Sequence, residues 1–93
     1  MIGHIYIHGQ IGNSYDENGN ITERGVELQD VVTQVEANKT ATELHFHIKG
    51  PGGYVRIGDL IADYIASIPN AYTIAEGVAS ISTRIHLAVP VEN

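Results

Sequence analysis

The chain has 93 residues, 43% hydrophobic and 17% charged, with no cysteine and a formal net charge of -6. That is one small domain (1–93) of ordinary globular composition, and without a thiol, disulfides, thiolate metal sites and cysteine nucleophiles are excluded. The acidic balance and the scattered cations Arg24, Lys39, Lys49, Arg56 and Arg84 speak against a phosphate-neutralising nucleic-acid binder and against an anionic membrane surface.

Ile2 to His8 alternates, with Ile5 and Ile7 on one side and His4, Tyr6 and His8 on the other, which predicts a strand. Gly9 to Gly25 is polar and rich in turn formers such as Asp16, Asn18, Gly19 and Asn20, and reads as a mobile surface loop or short excursion. In Val26 to Ala37 the apolar residues Leu28, Val31, Val32 and Val35 recur at helical spacing, closed by Asn38-Lys39-Thr40. Glu43 to Ile48 alternates again, Leu44, Phe46 and Ile48 opposing His45 and His47.

After Pro51-Gly52-Gly53, residues Ile57, Leu60, Ile61, Tyr64 and Ile65 predict a second helix ending at Ile68-Pro69-Asn70. Ala71 to Ala75 is short and β-prone, and Val78 to Val89 carries Ile81 and Ile85 at helical spacing before Pro90. The order β-loop-α-β-α-β-α predicts an α/β domain with a parallel sheet and helices packed on it. The Met1-Ile2-Gly3-His4 start lacks a signal-peptide layout and no apolar run approaches the ~20 residues that span a bilayer, so the expectation is a cytoplasmic protein.

Two segments carry chemistry. Ile48-Lys49-Gly50-Pro51-Gly52-Gly53 runs a strand into a glycine turn that exposes backbone N–H groups, and Gly77-Val78-Ala79-Ser80 places a serine near a helix start. Together they suggest an oxyanion pocket facing a serine nucleophile. Ser80 alone reads first as a small residue capping the last helix. The histidines His4, His8, His45 and His47 could share one sheet face, but no carboxylate is fixed beside them by spacing, so no metal and no cofactor is expected. His86 points to a different side of its helix from Ser80 and reads as a surface or interface residue. Asp59 and Asp63 form a solvated acidic stripe. Tyr15 to Asn20 has the composition of a calcium loop without its spacing.

These segments resemble the Clp protease proteolytic subunit (ClpP) family, particularly its phage head-maturation relatives. The pattern I-x-I-x-G-x-I-G stands here as Ile5-Tyr6-Ile7-His8-Gly9-Gln10-Ile11-Gly12. The strand-turn-helix I-N-S-P-G-G-x-V-x-x-G stands as Ile48 to Gly58, and the serine segment stands as Gly77 to Ser80 with Ile85 and Ala88 after it. The resemblance covers about Ile5 to Ala88 and implies the ClpP/crotonase-like fold, a serine endopeptidase acting through an acyl-enzyme, and ring-forming homo-oligomers with a possible unfoldase partner.

By motif, Ser80 matches the nucleophile, and the N–H groups of Gly52 and Ile81 match the oxyanion hole. The chain departs from the family in lacking one residue between Gly77 and Ser80, which leaves Ser82 as a nearby alternative. The family's histidine and aspartate lie downstream of the serine. The chain is therefore expected to be the N-terminal part of a longer protease, inactive alone, or else a natural remnant serving assembly or scaffolding. An acyl-CoA enzyme of the crotonase type is a third reading.

Overall fold

A computed structural model describes residues 1–89. Strand β1 (Ile2–His8) buries Ile5 and Ile7 and exposes His4, Tyr6 and His8, as its alternation requires. Strand β4 (Glu43–Gly50) buries Leu44, Phe46 and Ile48 in the same way. The two pair in parallel with Ile5 opposite Phe46 and Ile7 opposite Ile48, so their apolar rows merge on one face. Strand β5 (Ala71–Val78) pairs in parallel on the other side of β4, giving the order β1-β4-β5.

Helices α1 (Leu28–Ala37), α2 (Val55–Ala66) and α3 (Ile81–His86) bring Val31, Ile61, Ala62, Ile65, Ile81 and Ile85 into this core. The start of α1 is set by Asp30, whose carboxylate accepts the Glu27 N–H at 2.8 Å and satisfies one of the free amides of the first turn. The parallel sheet and its helices therefore match the expected α/β architecture.

The structure differs from the sequence reading in three places. The Gly9–Gly25 segment holds an antiparallel hairpin, β2 (Ser14–Tyr15) with β3 (Ile21–Glu23). Asp16 organises its turn by accepting the Asn18 and Asn20 N–H groups, each at 2.9 Å. Those bonds favour the charged form, the one from the Asn20 backbone most, and hold the Asp16 carboxyl below its ordinary range. Strands of two and three residues are too short to show a period, so no alternation could announce them.

The third strand of the parallel sheet runs on to Val78, because Val78 pairs with Gly50 beyond a register break. The last helix accordingly spans Ile81–His86, beginning at Ile81 and not at Val78 and ending at His86 and not at Val89. Pro90, expected to stop it, lies outside the described residues.

Candidate active site

Strands β4 and β5 leave the sheet side by side, at Gly50 and Val78, and each runs directly into one of the two segments that carry chemistry. The two turns touch. A Cβ on Gly52 would stand 2.8 Å from the Ser80 Cβ, 3.1 Å from the Ala79 carbonyl oxygen and 3.3 Å from the Ile81 nitrogen. With φ at +104°, Gly52 also holds a conformation that side chains rarely adopt. Glycine is required there by both space and geometry.

Ser80 has φ 55° and ψ -128°, and among the described residues it alone combines a side chain with positive φ. Such a conformation costs about 1–3 kcal/mol and persists only where its surroundings enforce it. Here α3 enforces it: Ile81 and Ile85 are buried, and Ile81 lies directly on Gly58 of α2, where a Cβ would collide with its side chain. A sharp strand-to-helix turn of this kind lifts a serine hydroxyl clear of the sheet. Ser80 is exposed, whereas Ser82 is 1% exposed, its hydroxyl buried and, among the described residues, without a hydrogen-bond partner. Removing an unpartnered buried hydroxyl relieves a desolvation cost, so Ser82→Ala is expected to raise unfolding free energy by up to ~1 kcal/mol. A shift of the urea midpoint checks this, and a clear loss of stability would contradict it.

The amides around Ser80 are free to donate. Among the described residues no backbone or side-chain acceptor takes the N–H of Gly52 or of Ile81, although Ser82 and Thr83 close the turn onto the Ala79 and Ser80 carbonyls at 3.1 Å each. The Gly53 N–H of the same glycine turn is a third amide that no acceptor takes among the described residues. The carbonyl of Gly52 accepts the Ile11 N–H at 2.8 Å, and with every described peptide trans, the Gly53 N–H is directed away from Ile11. Gly52 and Ile81 are buried residues, and buried backbone donors without partners are rare; Gly53 is exposed.

Other candidates fall elsewhere. Among the described residues no side chain hydrogen-bonds the Ser80 hydroxyl. His86 is half-buried, its Nδ1 is buried and finds no partner among the described residues, and its carbonyl accepts the Thr73 hydroxyl at 2.7 Å. The Asp59–Asp63 stripe is not left to repel itself: Arg84 of α3 reaches both, at 3.9 and 3.3 Å.

The outer sheet face does gather His4, His8, His45 and His47, since β1 and β4 are neighbours. They contact one another and Glu43 or Glu76, but among the described residues no three or more such groups are arranged so that they could hold a metal ion. A cleft of about 440 Å³ lies beside the hairpin, lined by Asn13, Tyr15, Glu27, Tyr54, Arg56 and Ile57, and none of the residues around Ser80 lines it.

The fold has close counterparts. ClpP1 from Listeria monocytogenes superposes with a TM-score of 0.71 at 28% identity over 97% of this chain. A point mutant of the same protein matches with a TM-score of 0.73 at 28% identity over 98% of this chain. The fold is ClpP-like. The chain spans about half the length of these ClpP structures, 48% in each comparison. No protein-family model matches the chain, and no curated protein matches it significantly by sequence. No described helix is long and apolar enough to cross a membrane.

Proposed function

We propose that the chain is the nucleophile-bearing part of a ClpP-like serine endopeptidase. The observation that carries this reading is the contact of the Gly52 turn with an exposed Ser80 held at positive φ. Ser80 would attack the peptide carbonyl, and the free amides at Ile81 and at the Gly52-Gly53 turn would receive the developing oxyanion. A serine hydroxyl is a weak nucleophile until a base takes its proton. Base and orienting carboxylate would come from outside these residues, as in the histidine-aspartate pair the resemblance implies. The 93 residues alone would then be inactive. The substrate would be a peptide or unfolded protein, with self-association into a ring and an unfoldase as possible partner, in a phage or cytoplasmic setting.

The test is fluorophosphonate labelling of the gene-encoded protein, with the adduct located by mass spectrometry. The expected adduct is on Ser80; it disappears in Ser80→Ala and persists in Ser82→Ala. Labelling is expected to be slower by ~10³-fold or more in the 93-residue chain, since each missing triad member costs at least that much. A gene-encoded protein that leaves Ser80 unmodified would sink the peptidase reading, and a non-catalytic assembly module would replace it.

A further inference from the structure

Where β5 approaches Ser80, its ladder to β4 is interrupted. Ile48 pairs with Ala75 and Gly50 with Val78, so Glu76 and Gly77 together stand opposite Lys49 alone. A two-against-one bulge weakens backbone pairing and re-aims the residues beyond it, and Gly77 adds a φ of +131°. The segment leading into the strained Ser80 turn therefore lacks regular ladder support.

A side chain supplies the missing tie. Glu76 Oε1 meets His8 Nε2 of β1 at 2.8 Å, and Glu76 Oε2 meets His47 Nδ1 of β4 at 3.2 Å. One carboxylate on an edge strand is thus bonded to both other strands of the sheet. An ionised carboxylate only accepts, so both facing nitrogens carry hydrogen. In neutral His47 the opposite nitrogen, Nε2, is then an acceptor, and His4 Nδ1 lies 2.8 Å from it and donates. Tyr6 stacks on the His47 ring with centroids 4.9 Å apart and fixes its plane. His47 also stands on the strand that runs into the Gly52 turn, so the Glu76–His47 bond joins the two arms that meet at Ser80.

We infer that Glu76 is a positioning residue for the Ser80 turn, clamping the bulged end of β5 to β1 and β4 through His8 and His47. This rests on reading Ser80 as the reactive residue. The other titratable groups on this face are His4 and Tyr6 of β1, Glu43, His45 and Lys49 of β4, and Tyr72 of β5. The bonds from His8 and then His47 hold the Glu76 carboxyl below its ordinary range. The clamp is therefore complete above that ordinary range and is lost as pH falls through the lowered value.

The experiment is an amide NMR titration of the full chain, comparing wild type with Glu76→Gln and Glu76→Ala. In the wild type, the Ser80 and Ile81 amides are expected to show an acid inflection that vanishes in Glu76→Gln, which keeps the size but not the charge. In Glu76→Ala, exchange of the Ser82 and Thr83 amides, which are bonded to the Ala79 and Ser80 carbonyls of the turn, should quicken about tenfold while Phe46 and Ile61 stay protected. Unchanged Ser80 and Ile81 signals in Glu76→Ala, or equal loss of protection throughout the core, would overturn the inference. Fluorophosphonate labelling in the gene-encoded protein separates the two readings. An unlabelled wild-type Ser80 removes the nucleophile and leaves the titration to decide what Glu76 holds. A labelled Ser80 that Glu76→Ala does not slow removes the positioning role alone.

Discussion

Gly52→Ala is expected to slow fluorophosphonate capture of Ser80 in the gene-encoded protein by ~10²-fold or more, the scale of losing one oxyanion donor. The added methyl group would stand 2.8 Å from the Ser80 Cβ and 3.1 Å from the Ala79 oxygen. Neither neighbour can yield easily: Ala79 and Ile81 flank a turn whose far side is anchored by buried Ile81 and Ile85. The alanine would also have to hold φ near +104°, adding about 1–3 kcal/mol of backbone strain. Relief comes by opening the gap between the two turns, which carries the free amides away from the hydroxyl. The check is a labelling rate measured beside Ser80→Ala, together with amide shifts at Ser80 and Ile81. A labelling rate equal to wild type would show that the Gly52 turn is not part of the reactive pocket.

Phe46→Ala is expected to destabilise the chain by about 3–5 kcal/mol, read from the urea midpoint at constant slope. Phe46 is the only phenylalanine, is fully buried, and lies on the central strand between Ile5 of β1 and Thr73 of β5. Its neighbours are held by two ladders and cannot collapse into the space it leaves. For a domain of this size the loss is a large share of a total stability of roughly 5–15 kcal/mol. The variant should therefore be partly unfolded at moderate temperature. A cost below ~1 kcal/mol would mean that the core reorganises around the gap.

Ser80→Ala, by contrast, should cost little stability, since the side chain is exposed and alanine inherits the same positive φ without losing a hydrogen bond. The proposed reactive position and the core thus separate by burial. The sheet core is closed and apolar, while the candidate chemistry sits where two strands leave it.

The apolar alternation of β1 and β4 and the helical spacing in α1 and α2 are properties of local sequence, and they determined the order of elements and the inward faces. The Pro51-Gly52-Gly53 turn and the glycine before Ser80 were legible for the same reason: a conformation forbidden to most residues leaves glycine in the chain as its mark. The hairpin at Ser14–Glu23 marked only its turn, where Gly19 holds φ +83° and the Asp16 side chain ties the loop; its strands are shorter than any period and went unread.

Tertiary structure alone decided three further things. Spacing favoured Ser80 over Ser82 without deciding between them, and only the fold shows that Ser82 is buried and Ser80 exposed, because which face of α3 meets Gly58 depends on how α2 packs. The bulge that carries β5 on to Val78 exists only in its pairing with β4. Glu76 became the partner of His8 and His47, residues far away in sequence, because parallel pairing sets β1, β4 and β5 side by side and sums contacts that no local window contains.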